Sequence, residues 1–443
     1  MAGRVRVQPE VHGDVAPGFG PVADTFRDQI SRRQTIGAAC AVQRDGQTVV
    51  DLWGGRRDAD RRLPWERDTL VPVFSTTKGM AMMALAVAHT RGHLDLEERV
   101  AAYWPGFAQN GKQDVTVRQL LSHQAGLAAL DEPISAALLA DPDALAPVLA
   151  RQAPLWEPGT RQGYHAVSLG FYASELLRRV DPLGRTIGRA FAEDVAGPLG
   201  IEFHIGLPDR VDGRRIARFH GVHPVRGIFH LGGAPRKLLL ALCDPRSLTS
   251  RAFMAIPIAR HPERINDRQL LRHELASFGG VGNARGIARA YGDLATGGRR
   301  LELCPATLSA LETPADPPPG GPRDLVLHSA IPFSFGHVHA FPGFPLGSDE
   351  RSYAMAGAGG SIGMADPALG IGFAYTPNRM GFGSPTDPRE VELRAALYRC
   401  LGGPPQRADP RNGPVGRSMS SSSQPPRARA SVEWRGSSRR DLR

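Results

Sequence analysis

Three side chains in this sequence have the types and spacing that nucleophilic chemistry needs. Ser75 and Lys78 stand three residues apart in VFSTTKGM, and Tyr164 follows in WEPGTRQGYHAVSLG. A serine hydroxyl is a weak nucleophile until a neighbouring base takes its proton. Where Ser75 opens a helix, the i to i+3 spacing brings Lys78 onto the same face. A lysine held in apolar surroundings loses proton affinity and can act as a base near neutral pH. The helix N-terminus adds positive partial charge that favours an oxyanion. Tyr164, on a loop directly before a helix, is placed to share a proton with the amine and return it to a leaving group. Only three of the 54 basic residues are lysines, Lys78, Lys112 and Lys237. Arginine keeps its proton in proteins whereas a buried lysine can titrate, so each lysine in such an arginine-rich chain raises the question of what arginine could not do there.

The S-x-x-K spacing taken alone is weak, because a helix N-cap serine followed by a surface cation gives the same pattern. The elements around it must therefore carry the argument. Thr76 to Arg91 has helical composition with apolar residues on all sides, so it predicts a helix buried in the core, with Gly92 as its C-terminal cap. Lys78 then falls in the first turn, where a surface cation would oppose the helix dipole. Ile36 to Leu52 reads as two strands joined by the Asp45-Gly46 turn. VTVRQLLSHQAG, SLGFYASELLRRV and ARGIARAYGDLATGG read as amphipathic helices, the first ended by Gly126. IGFAYTP, residues 371–377, alternates as a strand, and VELRAALYRCLGG closes the chain as a helix. Strands at both ends with helices between predict an α/β fold, a discontinuous domain with an inserted helical domain. Its bounds are 20–402, with the α/β part about 20–75 plus 340–402 and the helical part about 76–330. Residues 403–443, rich in Pro, Ser and Arg, read as a disordered basic tail.

Composition sets further bounds. A hydrophobic content of 41% and a charged content of 22% are those of an ordinary globular protein. The net charge of +10 is concentrated at the C-terminus, where nine arginines face three acidic residues after Gly403. The body is close to neutral, so a nucleic-acid partner is not expected. No apolar run approaches a membrane span, and MAGRVRVQPEVHGDV lacks the apolar core of a secretory signal, so a cytoplasmic location is expected. Cys40, Cys243, Cys304 and Cys400 are scattered, without the spacing of a zinc site or a disulfide framework.

VFSTTKGM, TVRQLLSHQAGL, WEPGTRQGYHA and GAGGSIGMADPALGIGFAY together resemble the β-lactamase-related serine hydrolases. The branch they resemble most is the class C-like family VIII carboxylesterases, over about residues 26–402 and with the four blocks in the family's order. The resemblance implies a β-lactamase and penicillin-binding transpeptidase-like fold, an antiparallel sheet flanked by helices plus a helical domain, with the site between them. It implies Ser75 as acyl-enzyme nucleophile and Lys78 and Tyr164 as base and proton relay. The backbone N–H groups of Ser75 and of a residue near Ala358 would form the oxyanion hole. His165, Met355 and Gly357 are then substrate-pocket candidates, with no cofactor and no metal. The expected partner is a small ester or amide; the alternatives to an esterase are a β-lactamase or D-amino-acid peptidase, or a catalytically weak scaffold.

One departure bears on substrate. Relatives carry His or Lys two residues before a glycine of the Gly-rich block, and this chain has Met355-Ala356-Gly357 there. Losing that positive charge disfavours carboxylate-bearing substrates such as β-lactams. A second candidate nucleophile, Ser361 in GGSIG, matches G-x-S-x-G, but that elbow needs a helix directly after the serine. Here a turn and a strand are expected instead. His220, His223 and His230, and the alternating His337 and His339, lack the spacing of a catalytic zinc site and read as loop or surface histidines. His123, at the end of LLSHQAG, reads as structural at the cleft edge.

Overall fold

The computed structural model describes residues 10–32, 34–221, 236–256, 262–381 and 387–403. The basic tail after Gly403, and His223 and His230, lie outside the described residues. The main sheet is built from β1 (Val11–Val15), β2 (Gly37–Arg44), β3 (Gln47–Asp58), β8 (Val338–His339), β9 (Tyr353–Ala356), β10 (Ile362–Asp366) and β11 (Ile371–Pro377). It is antiparallel throughout, in the order β1-β3-β2-β11-β10-β9-β8, with the short β4 (Leu63–Pro64) paired to β3. Helices that matter for the site are α1 (Gly20–Ser31), α2 (Thr76–Thr90), α3 (Val117–Leu121), α4 (Ser168–Val180), α5 (Leu248–Phe253), α6 (Ala284–Ala295) and α7 (Pro388–Cys400).

The β2–β3 hairpin closes where the turn residues demand it. Asp45 and Gly46 both take positive φ, 49° and 76°, the two-residue turn whose twist suits antiparallel strands. β2 then pairs with β11 from Ala38↔Pro377 to Arg44↔Ile371, joining segments more than 300 residues apart. The side chains on the two faces of this pair are sorted by size. Cys40, Val42, Phe373 and Tyr375 point to the α1/α7 face, whereas Ala39, Ala41 and Ala374 lie on the α6 face. Small residues allow α6 to come close. A Cβ on Gly372 would stand 2.2 Å from the Gly292 nitrogen, so only glycine fits.

α2 is buried along almost its whole length, Thr76 to Ala88. It packs on β9 on one side and on α4 on the other. Gly79 marks the contact with the sheet, since a Cβ there would meet the Tyr291 hydroxyl, the Met355 side chain and His337. A second, three-stranded sheet orders β5 (Val71–Pro72), β7 (Val281–Gly282) and β6 (Phe203–His204) as β5-β7-β6. This small sheet brings the chain just before Ser75 beside the chain just after Ser277.

Candidate active site

Ser75 sits at the N-cap of α2, where β5 runs into the helix. The residue before it, Phe74, holds φ = 47°, a left-handed conformation that costs a bulky residue on the order of 1–2 kcal/mol. Packing holds it there: the Phe74 ring meets Phe219 edge-on at 4.8 Å. This kink presents the Ser75 side chain to a small cavity of about 150 Å³.

Lys78 is fully buried, one turn into α2. Its Nζ donates to the carbonyls of Ala166 at 2.7 Å and Ser277 at 3.0 Å, and stands 3.3 Å from Ser75 Oγ. No ion pair accompanies it among the described residues. Burial lowers its pKa from 10.5 to about 7. A neutral amine has two hydrogens and one lone pair. With both hydrogens given to carbonyls, the lone pair is left for the serine hydroxyl.

The other lysines differ. Lys112 is also buried, but its Nζ donates to three carbonyls, those of Gln109, Ala150 and Gln152, at 2.7–2.9 Å. Three acceptors use all three hydrogens of an ammonium, so Lys112 ties loops together as a cation. Burial brings its pKa down only to about 8. Lys237 is exposed.

Tyr164 arrives from a loop fixed by histidines rather than by regular structure. His123, just after α3 and itself at φ = 65°, takes the His165 amide on Nδ1 at 3.1 Å. His165 in turn accepts the Leu127 amide on Nε2 at 3.0 Å. The Tyr164 ring lies edge-on to His123 at 4.9 Å and stacks on Phe333. Its hydroxyl is turned to Ser75, and Lys78 Nζ stands 4.9 Å from the ring centre. Burial pushes the phenol up to about 12, the nearness of Ser75 opposes this, and the charge of Asp324 adds to it. Both histidines are held neutral by burial, His165 at about 4 and His123 well below the ordinary imidazole range.

The Gly-rich loop lies across from Ser75. Gly359 and Gly360 take φ of 90° and 96°, and a Cβ on Gly357 would collide with the Val73 carbonyl at 2.2 Å. Arg389 of α7, paired with Asp387, donates to the Gly359 carbonyl at 2.7 Å. Among the described residues neither the Ser75 amide nor the Ala358 amide meets a backbone acceptor, and both residues line the same cavity. Two N–H groups left without a backbone acceptor at one cavity are what an oxyanion would require.

Ser361, the rival serine, is tied into the fold: its Oγ donates to the Val73 carbonyl at 2.6 Å and lies 3.0 Å from Thr76 Oγ1. Strand β10 follows it, so the strand–serine–helix elbow is absent. It fastens the Gly-rich loop to the chain that carries Ser75.

The pocket candidates fall outside the cavity. His165 is fully buried behind Tyr164, Met355 packs against Gly79 of α2, and Gly357 is buried under the loop. The walls are instead Phe74, Val167, Leu242, Phe253, Met254, Ile256, Phe278 and Met380, with Ala166 and Ala358. Leu242, in the helix Arg236–Cys243, and Phe253 of α5 carried no sequence signal for this task beyond being apolar. A larger cavity of about 310 Å³, lined by Leu149, Phe171 and Glu274 among others, contains none of Ser75, Lys78 and Tyr164. His337 and His339 are buried, each with Nδ1 against a backbone carbonyl, and not surface histidines. Among the described residues no group of three or more His, Cys, Asp or Glu could hold a metal ion. No helix among them is long and apolar enough to cross a membrane.

The chain is similar to known proteins over nearly all of this structure. The "Beta-lactamase" family profile matches residues 22–397. "Esterase/beta-lactamase LipL" of Mycobacterium tuberculosis is 33% identical over 380 residues, covering 84% of this chain and 83% of that one. The crystal structure of a family VIII carboxylesterase superposes with a TM-score of 0.78 at 36% identity, over 88% of this chain and 100% of the other. A penicillin-binding protein homolog from Caulobacter crescentus gives a TM-score of 0.76 at 34% identity, with the same coverage. The fold is that of the β-lactamases and penicillin-binding proteins, with the sheet and α2 in the arrangement described, and the chain belongs to the beta-lactamase family of serine hydrolases.

Proposed function

We propose that this protein hydrolyses small, uncharged carboxylic esters through an acyl-enzyme on Ser75. The observation that carries the reading is the Lys78 amine, which spends two hydrogens on the Ala166 and Ser277 carbonyls and faces Ser75 Oγ at 3.3 Å. Neutral Lys78 takes the Oγ proton as Oγ bonds to the ester carbonyl carbon. The oxyanion is received by the amides of Ser75 and Ala358. Tyr164 passes the proton to the departing alkoxide, which leaves as the alcohol. Water then enters, gives its proton to the Lys78–Tyr164 pair, and releases the acid with return of the proton to Ser75 Oγ.

The substrate class follows from the cavity. Among the described residues its lining has no charged residue and no polar side chain other than Ser75. Among those residues nothing offers a counter-charge for a carboxylate. An apolar acyl or alcohol group gains roughly 0.8 kcal/mol per buried methylene there. The names of the similar proteins, an esterase/beta-lactamase and a carboxylesterase, support ester chemistry and keep β-lactam cleavage as the rival.

A fluorophosphonate probe tests the nucleophile: the native protein should label, and Ser75→Ala should not. Label retained on the variant would move the nucleophile elsewhere, and a native protein that never labels would point to a non-catalytic scaffold. Turnover of p-nitrophenyl butyrate should exceed that of nitrocefin. The reverse order would make the protein a β-lactamase first.

A further inference from the structure

One buried charge near this site has no part in the chemistry above. Asp324 is fully buried and forms no ion pair among the described residues. Its Oδ1 accepts the amides of Val326 at 2.8 Å and Leu327 at 2.7 Å, a local turn. The Tyr164 amide also faces the carboxylate, while Oδ2 closes no full hydrogen bond of its own. The two segments are stapled around this point. Gln162 bridges to Asp324, the Leu325 amide donates to the Gln162 carbonyl at 3.0 Å, and Gln162 Nε2 donates to the carbonyls of Pro322 and Ile331.

Structure alone does not call for the charge. For the local turn alone an asparagine oxygen would accept the Val326 and Leu327 amides without the cost of burying an unpaired carboxylate, but its NH2 would be turned toward the Tyr164 amide. We propose that Asp324 is a positioning residue of the Ser75 site, whose anionic carboxylate holds the Tyr164 backbone, and with it the phenol, in place beside Ser75. This rests on the hydrolase reading above.

Among the described residues the surroundings leave Asp324 as the one fixed charge facing Tyr164 above about pH 7. Lys78 reaches the ring from α2, His123 from the end of α3 and His165 from the same loop, while Phe333 and Phe253 are apolar. The histidines stay neutral, and Lys78 is neutral above about pH 7. His328 is turned to Thr249, and Arg251 is paired with Asp131. Burial is the main reason the Tyr164 phenol keeps its proton, and the anion beside it adds in the same direction. Burial pushes the Asp324 carboxyl itself up to about 6, against the pull of the Leu327, Val326 and Tyr164 amides. Below that pH the charge is gone.

The test is the acid limb of kcat/KM for p-nitrophenyl butyrate between pH 8 and 5, in the native protein and in Asp324→Asn. Native activity should fall about tenfold per unit below pH 7 as Lys78 protonates, steepening to roughly thirtyfold over the unit below pH 6 as Asp324 also protonates to a form about tenfold less active. Asp324→Asn should fall tenfold per unit throughout, with kcat at pH 8 at least tenfold below native and KM within twofold. A native limb of single slope, or a variant kcat at pH 8 within twofold of native, would overturn the proposal. If the variant does not fold, the native slope alone decides. Fluorophosphonate labelling separates the two readings: a labelled native protein with a single slope sinks only the role of Asp324, whereas an unlabelled one sinks the hydrolase reading as well.

Discussion

Replacing Lys78 by methionine should alter stability in a way that reports the amine's ionisation independently of catalysis. In the unfolded chain the ammonium gives up its proton near 10.5, and in the folded protein burial brings this to about 7. Between these values the unfolded state binds more protons, so folding becomes more favourable as pH rises. The penalty is complete below pH 7 and vanishes above 10.5. At about 1.4 kcal/mol per pKa unit, the native protein should gain about 2 kcal/mol relative to Lys78→Met between pH 7 and pH 9. The methionine fills the same space but strands the Ala166 and Ser277 carbonyls, a cost independent of pH that cancels in this difference. Urea unfolding of both proteins at the two pH values supplies the measurement. A stability gap that stays constant would mean the amine keeps its proton through neutral pH. Ser75 would then have no base.

Phe253→Ala should open the cavity on the α5 side. At roughly 0.8 kcal/mol per methylene, about fourfold in kcat/KM, room for about two more methylenes should give p-nitrophenyl hexanoate a gain of roughly 15-fold over the acetate relative to native; an unchanged chain-length profile would remove Phe253 from the wall. Ser361→Ala loses the bonds to Val73 and Thr76 and should cost about 1–3 kcal/mol in thermal or urea unfolding. It should still label with a fluorophosphonate, and loss of label in a folded variant would reinstate Ser361 as a nucleophile. Lys112→Met strands three buried carbonyls and should cost about 3 kcal/mol or more in urea unfolding, with kcat unchanged once folded.

Local patterns made part of this molecule legible. The Asp45-Gly46 turn announced the β2–β3 hairpin because only a few residue types take positive φ at both positions. SLGFYASELLRRV coincides with α4, Ser168–Val180, and IGFAYTP with β11, because the apolar periodicity of each is contained within one element. β1 escaped notice: VHGDV does not alternate, and its identity as a strand comes from pairing with β3. The strands of the small sheet are two residues each, too short to carry a period.

The sequence by itself determined the chemistry on offer: a serine and a scarce lysine three residues apart, ahead of a helix too apolar to face water. Tertiary structure decided what that chemistry is attached to. Lys78 and Lys112 were equally rare letters; two carbonyls and a hydroxyl around one amine, and three carbonyls around the other, separate a candidate base from a structural cation. Met355 and His165 looked like pocket residues, yet packing turned both inward, and Phe253, Leu242 and Met254 took the walls. Asp324 stands 160 residues from Tyr164 in the chain, and only the bridge to Gln162 makes them neighbours. Spacing along the chain governs what one helix or turn can present, whereas a cavity and its electrostatics are made by segments that meet only after folding.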